Sequence, residues 1–249
     1  MRAATKYRLV LMAALVFPSL HLTAPPAWAE VVELELVLAV DTSASVDKTE
    51  FALQMKGLAE AFRNPAVLKV LNATGHGGIA VTLLQWSRPD QQVVAIAWTR
   101  VFDDTSAAAF ADQLLAAPRL TAGGGTAIGE AIRKSLQELN LNAFEGRRKI
   151  IDVSGDGRTN DGVAPDLMRA IAVAQGVTIN GLAIMNEDRN LDQYYEAEII
   201  DGPGAFVVPA KDYRDFARAI VAKLVREISG PPIAGYDPAS PQHRDLAHR

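Results

Sequence analysis

The sequence contains no cysteine among its 249 residues and only four histidines. Without thiols the chain can form neither a disulfide framework nor a thiolate metal site, so its stability must come from a buried core, which a bound ion could assist. The histidines do not indicate a zinc site. His76 has no histidine, cysteine or acidic pair at metal-binding spacing, and His243 and His248 lie in the last residues of the sequence.

Apolar runs long enough to cross a membrane are also missing. The run from Leu9 to Phe17 is too short, because a membrane helix needs about 20 such residues. Basic residues precede this run and the small residues Ala27 and Ala29 follow it, which is typical of a secretory signal peptide. We therefore predict an export signal over residues 1–29, cleaved after Ala29, and a periplasmic or secreted protein with no stable membrane span. An uncleaved anchor is the alternative.

Basic residues are too few to favour nucleic acid as a partner. The formal net charge is −4, and removing residues 1–29 with their three positive charges changes it to −7. The remaining 220 of the 249 residues suit one α/β domain, which we place at residues 30–230. Residues 231–249 are polar, contain proline and lack apolar periodicity, so we predict a disordered tail there.

Strand-like and helix-like segments alternate through the predicted domain. Apolar runs predict strands at residues 34–40, 79–86, 93–98, 149–153, 178–185 and 205–208, of which the second and third form a hairpin. Helical spacing predicts helices at residues 47–63, 105–117, 126–139, 164–175, 191–200 and 213–229. This order predicts a Rossmann-like, doubly wound α/β fold whose sheet is mostly parallel, with one antiparallel edge strand and helices on both faces.

Oxygen-bearing side chains occur in three separated segments of this pattern. Asp41, Ser43 and Ser45 follow the first strand, Thr126 follows three glycines at a helix start, and Asp156 follows the strand at 149–153. Because open α/β sheets bind ligands beyond the carboxyl ends of their strands, we expect these five side chains to meet on one rim. Hydroxyls with few carboxylates suit Mg²⁺, which prefers oxygen ligands and retains several waters.

Each of these residues also has a simpler explanation. Serine and threonine are common helix caps, aspartate often forms turns, and glycines often serve backbone geometry alone. If those explanations hold, the chain is a metal-free scaffold that keeps only the turns. The joint occurrence of all three segments favours a metal site.

The three segments resemble the metal-ion-dependent adhesion site of von Willebrand factor A (vWA) domains. The resemblance is carried by DTSAS at 41–45, GGGT ending at Thr126 and SGDG around Asp156, and it covers residues 34–229. The chain is also similar to a family of exported bacterial vWA-like proteins with no assigned activity, through VLAVDTSAS, IDVSGDGRTN and YYEAEIIDGPGAFV. The resemblance implies Mg²⁺ or Mn²⁺ on the upper rim. Ser43 and Ser45 would ligate it directly, Thr126 directly or through water, and Asp41 and Asp156 mostly through water.

An ion held mainly by neutral hydroxyls keeps most of its charge, so it should accept a carboxylate from another molecule. We therefore expect a non-enzymatic binding module whose partner is a protein that presents an acidic residue. A metal-dependent hydrolase, with Asp41 or Asp156 as base, is the alternative. The sequence offers no nucleophile elbow and no phosphate-binding glycine loop to support it.

Three further features stay outside the predicted site. Asp152 interrupts an apolar strand and should need a partner, for which Arg147 and Arg148 are the candidates, or else a role in orienting the rim. Asn160 and Asp161 are expected to be ordinary loop residues. Tyr194-Tyr195 is expected to be either an exposed contact patch or helix packing.

Overall fold

The computed structural model describes residues 29–230, so residues 1–28 of the predicted signal peptide and the whole predicted tail lie outside the described residues. The strands are β1 (Glu30–Val32), β2 (Leu34–Asp41), β3 (Ile79–Trp86), β4 (Gln92–Val101), β5 (Phe144–Gly146), β6 (Lys149–Gly155), β7 (Val177–Ile184) and β8 (Val207–Ala210). The helices are α1 (Lys48–Phe62), α2 (Pro65–Asn72), α3 (Asp104–Ala116), α4 (Ile128–Leu141), α5 (Pro165–Ala174), α6 (Leu191–Tyr194) and α7 (Phe216–Ser229), and a π-helical turn, Tyr195–Ile199, continues α6.

Six strands form the main sheet in the order β4-β3-β2-β6-β7-β8. Strand β4 lies at one edge and pairs antiparallel with β3, and the other neighbouring strands pair in parallel. Strands β1 and β5 form a separate two-stranded parallel sheet. The predicted α/β fold, with its mostly parallel sheet and antiparallel edge, is confirmed.

The sheet is covered on both faces because its central strands carry apolar residues on both sides. All eight residues of β2 are buried. Leu34, Leu36, Leu38 and Val40 pack into a core with α1, α2, α3 and α7, whereas Val37 and Ala39 pack into a second core with α4, α5 and the π-helical turn. This alternation follows from the two-residue period of a strand, and it is why helices cover both faces of the sheet.

Helix boundaries follow the capping chemistry, with one correction to the sequence prediction. Asp47 and Glu50 form a capping box at the start of α1, which agrees with the predicted helix start at residue 47. The dipeptide Asn64-Pro65 follows this helix, and no further helix was predicted before residue 105, but Asn64 caps a second helix, α2, in which Pro65 occupies the first turn. A proline in that position loses no helical hydrogen bond, so the same dipeptide stops one helix and starts another.

No helix within residues 29–230 combines the length and apolar character required to cross a membrane.

The expected counterions of Asp152 are wrong. Its carboxylate is buried, and Lys223 Nζ of α7 lies 2.8 Å from its Oδ1. Arg147 pairs instead with Glu33, and Arg148 donates to the carbonyl oxygens of Glu227 and Ile228. Asp152 therefore connects the sheet to the last helix.

Candidate metal centre

The sheet order brings two of the three predicted segments together. Strands β2 and β6 are parallel neighbours, so Asp41, the last residue of β2, and Asp156, which follows β6, lie at the same end of the sheet. Side-chain hydrogen bonds join the segments directly, because Ser45 Oγ donates to Asp156 Oδ1 at 2.7 Å. Ser43 Oγ is 3.1 Å from Ser45 Oγ, and the Ser43 backbone N–H donates to Asp41 Oδ1 at 2.7 Å.

The glycine segment packs against both of the others. Ala44 N–H donates to the Gly124 carbonyl at 3.0 Å, and a Cβ atom on Gly123 would lie 3.2 Å from Ala44 Cα. A Cβ atom on Gly157 would lie 3.8 Å from Thr126 Oγ1, which places the threonine hydroxyl beside the turn after Asp156. All five predicted residues therefore lie on one rim, although their role in binding a metal stays a prediction.

Four of the five predicted residues are buried, and Ser45 is half-buried. Two carboxylate oxygens of this group, Asp41 Oδ2 and Asp156 Oδ2, are buried and have no hydrogen-bond partner within residues 29–230. A Cβ atom on Gly155 would lie 2.9 Å from Asp41 Oδ2, so only glycine leaves room for this carboxylate. Buried acceptors without donors are costly. A divalent cation and its waters would satisfy both oxygens, so the residues present fit such an ion.

Two tyrosines that the sequence analysis left outside the site also reach this region. The hydroxyls of Tyr195 and Tyr213 are buried and, among the described residues, have no hydrogen-bond partner. The space that a Cβ atom on Gly155 would fill is 2.9 Å from Tyr195 OH as well as from Asp41 Oδ2. Tyr195 is therefore buried at the site, and the alternative of an exposed contact patch is wrong for it.

Burial and charge both oppose ionisation around Asp41. Burial first, and the nearby charge of Asp156 second, raise the pKa of Asp41 to about 7. Burial, with Asp41 and Asp156 as further causes, also raises the pKa of the Tyr195 and Tyr213 hydroxyls above their usual value of about 10. The tyrosines therefore remain neutral O–H groups at physiological pH. A cation at the rim would offset the repulsion between the two carboxylates.

Arg119 lies in the loop that carries the glycines, and its hydrogen bonds hold in place the first segment, which follows β2. Its Nη1 donates to the Val46 carbonyl at 2.7 Å, and its Nη2 donates to the carbonyls of Thr42 and Ser43 at 2.6 and 3.1 Å. The Thr42 and Thr121 hydroxyls form a further contact between the same loops. A lone arginine before a glycine run gives no pattern in the sequence, which is why the prediction missed it.

Asn160 also has a structural role that the sequence analysis did not assign. Its side-chain oxygen accepts a hydrogen bond from the Thr126 backbone N–H at 2.8 Å, and its own N–H donates to the Thr126 carbonyl at 3.1 Å. Asn160 thus positions Thr126 within the site.

Within residues 29–230, no three His, Asp or Glu side chains come together in a way that could hold a metal ion, so a metal on this rim would depend on hydroxyl oxygens.

Solved structures with the same architecture include vWA domains. The matched proteins are proximal thread matrix protein 1 from the mussel byssus (16% identity, 80% of this chain and 48% of that chain, TM-score 0.60), the pilus adhesin SpaC from Lactobacillus rhamnosus GG (16%, 80% and 30%, 0.57) and a von Willebrand factor type A protein from Catenulispora acidiphila (20%, 79% and 43%, 0.52). One structure of the mussel protein has a zinc-occupied MIDAS motif. These similarities show that the fold is vWA-like, and this chain spans less than half the length of each of the three.

Two further comparisons address the sequence itself. The search of curated proteins finds no match to the chain. A family model described as "Protein of unknown function (DUF1194)" matches residues 31–232, which is most of the sequence.

Proposed function

We propose that this chain, which belongs to the DUF1194 family, is an exported module that binds a protein partner through a divalent cation. One observation carries the proposal. Ser43, Ser45 and Asp156 are joined by contacts of 3.1 and 2.7 Å, and the buried Asp41 and Asp156 beside them each keep one oxygen without a partner among the described residues. Such an arrangement of hydroxyls and two carboxylates is suited to Mg²⁺ or Mn²⁺.

The residues that would hold the ion are Asp41, Ser43, Ser45, Thr126 and Asp156. When bound, a divalent cation supplies an electrophilic position that a carboxylate oxygen of another molecule can fill. The chain's own residues keep this position reachable, since Ser45 is half-buried and Ala44 beside it is exposed. Arg119 and Asn160 hold the loops in place, so the donors are arranged before the partner arrives.

Three finer statements belong to the same proposal. The partner presents an acidic residue, the domain is not an enzyme, and the protein acts in the periplasm or outside the cell after cleavage behind Ala29. Asp41 and Asp156 each use one oxygen to accept a hydrogen bond from the site's own loops. Each carboxylate is thereby held in place with its other oxygen left for an ion, which supports a binding role. Magnesium-dependent hydrolysis of nitrophenyl esters or phosphates above the blank rate would contradict the second statement. The intact mass of the exported protein checks the third.

Manganese titration of the mature chain, followed by calorimetry, tests the proposed cation site. We expect saturable binding of one Mn²⁺ per chain, and we expect Ser43→Ala to weaken it by at least about tenfold, because a direct ligand is lost. Ser135→Ala is the matched control, since it deletes a buried hydroxyl that donates only to the Ala131 carbonyl of its own helix. Equal Mn²⁺ affinity in the parent chain and Ser43→Ala would count against the site.

A further inference from the structure

A basic recess lies on the same end of the sheet as the candidate metal centre. It has a volume of about 400 Å³ and is lined by Met185, Arg189, Pro209, Lys211 and Arg218. Met185 directly follows β7 and Lys211 directly follows β8, and both strands run parallel to β6. The recess therefore opens beyond the carboxyl ends of β7 and β8, just as the metal centre lies beyond those of β2 and β6.

The recess has an excess of positive charge. Arg218 is fixed by Asp215, whose oxygens accept from Nε at 2.6 Å and Nη2 at 2.8 Å, and its Nη2 also donates to the Pro209 carbonyl. Within residues 29–230, Arg189 and Lys211 form no ion pair, and both side chains are exposed. Three cations line the recess and only Arg218 among them is in an ion pair, with Asp215, so the lining suits an anionic group.

The strand order gives the separation between the two sites. Measured across the strands of the sheet, the centre between β2 and β6 and the recess between β7 and β8 are two strand spacings apart, which is about 10 Å. Asn186, two residues after β7, donates to the half-buried Glu50 at 3.2 Å, and the exposed Glu187 follows it in the chain. Two acids therefore lie near this part of the rim. A partner that crosses this surface should be acidic at both ends of the crossing and carry no acid in the middle.

We propose that the partner segment is an extended peptide with two carboxylates three residues apart, an inference that rests on the proposed function. The first carboxylate completes the cation and the second enters the recess between Arg189 and Lys211. In a polyproline II helix, residues i and i+3 lie on the same side of the chain and about 9 Å apart, which matches the separation of the two sites. In a β-strand these residues point to opposite faces, so the polyproline II conformation is the one that fits.

Fluorescence anisotropy with labelled Gly/Ser/Pro peptides tests the inference on the mature chain with Mg²⁺. One peptide carries aspartates at i and i+3, and the comparison peptides carry one aspartate or two adjacent ones. We expect the i, i+3 peptide to bind about three- to tenfold more tightly than either of the others. Measurements at about 0.02 M salt are needed because exposed charges are screened over about 10 Å at 0.1 M.

Two charge-matched double variants assign the effect. Arg189→Ala/Lys211→Ala should abolish the advantage of the second aspartate while Mn²⁺ affinity is unchanged. Lys56→Ala/Arg133→Ala removes two exposed cations from helix positions away from the recess and should keep the advantage. EDTA-sensitive binding of all peptides with equal affinity would overturn this inference and leave the proposed function standing. No binding of any peptide to a chain that does bind Mn²⁺ would overturn both.

Discussion

At the scale of single residues, Asp41 is the group whose ionisation the proposed cation would affect most. It ends a buried strand with a fully buried carboxylate, and only Oδ1 accepts a hydrogen bond, from the Ser43 N–H. Its pKa is raised to about 7 by burial and by Asp156. The folded-state pKa lies above the unfolded value of 3.8. Ionisation of this group therefore destabilises the cation-free protein as the pH rises from about 4 to about 7.

The same shift predicts a pH-dependent cation affinity. Binding requires the ionised carboxylate, so below pH 7 the ion must displace a proton from Asp41. We expect Mn²⁺ affinity to fall by up to about tenfold per pH unit below that pKa and to level off above it. Calorimetric titrations across this range check the prediction. Asp41→Asn should bind more weakly with a flatter pH profile, whereas a parent affinity that does not vary with pH would contradict the account.

Arg119 carries the second prediction at this scale. Replacing it with alanine removes three hydrogen bonds to the carbonyls of the first segment, so this segment should lose its fixed arrangement. We expect Arg119→Ala to lower Mn²⁺ affinity about five- to tenfold while the chain still folds, with Arg119→Lys intermediate. Lysine keeps the charge but cannot provide the planar fork that reaches several acceptors at once. Circular dichroism verifies folding. Unchanged Mn²⁺ affinity in a folded Arg119→Ala would show that the hydrogen bonds of Arg119 do not hold the site in place.

At the scale of elements, α7 is attached to the sheet by a buried charged cluster. Lys223 Nζ lies 2.8 Å from Asp152 Oδ1 and also contacts Glu227 Oε1, to which Asn180 Nδ2 of β7 donates at 2.9 Å. Asp152, Lys223 and Glu227 are all buried. Two acids share one base there, so a proton is needed for neutrality. Burial raises the pKa of Asp152 and raises that of Glu227 to about 7.

This cluster predicts how stability changes with pH. The pKa of Glu227 in the folded chain exceeds its ordinary value of 4.5, so the neutral acid is favoured and stability is lost as the pH rises from 4.5 through about 7. Glu227→Gln keeps an acceptor for Lys223 and Asn180 but removes the ionisation. Between pH 5 and pH 8, we expect the free energy of unfolding of the parent to fall by about 1–3 kcal/mol more than that of Glu227→Gln.

Urea unfolding at both pH values, with saturating Mn²⁺ so that the rim does not contribute, measures this difference. Glu145→Gln is the control, because it removes an exposed acid on β5. Parallel pH profiles for the parent and Glu227→Gln would show that the cluster does not titrate in this range.

Secondary structure was largely predictable because each element has a local signal. The Asp47 capping box, the apolar run of β2 and the hairpin of β3 and β4 are patterns within a few residues. Helix α2 was not predicted because a proline after a helical pattern usually marks the end of a helix, whereas here Asn64 supplies the cap that starts a new one. Strands β1 and β5 were missed because three-residue strands have no detectable period.

At the scale of the whole molecule, the topology explains why four of the five predicted site residues, all but Thr126, could be expected to converge. Parallel strands share a carboxyl end, so segments after β2 and β6 meet wherever they lie in the sequence. The pairing of Asp152 with Lys223 could not be predicted, because a helix that packs from far along the chain leaves no local pattern. For the same reason, the approach of Tyr195 and Tyr213 to the rim emerged only from the packing of their segments on the sheet.

The most direct test of the central claim is an anomalous diffraction map from crystals of the mature chain soaked in Mn²⁺. The account predicts a manganese peak about 2.1 Å from Ser43 Oγ and Ser45 Oγ, with Thr126, Asp41 and Asp156 around it and one position open or filled by a carboxylate. A map at saturating Mn²⁺ with no peak between these side chains, or with peaks only elsewhere on the surface, would contradict it.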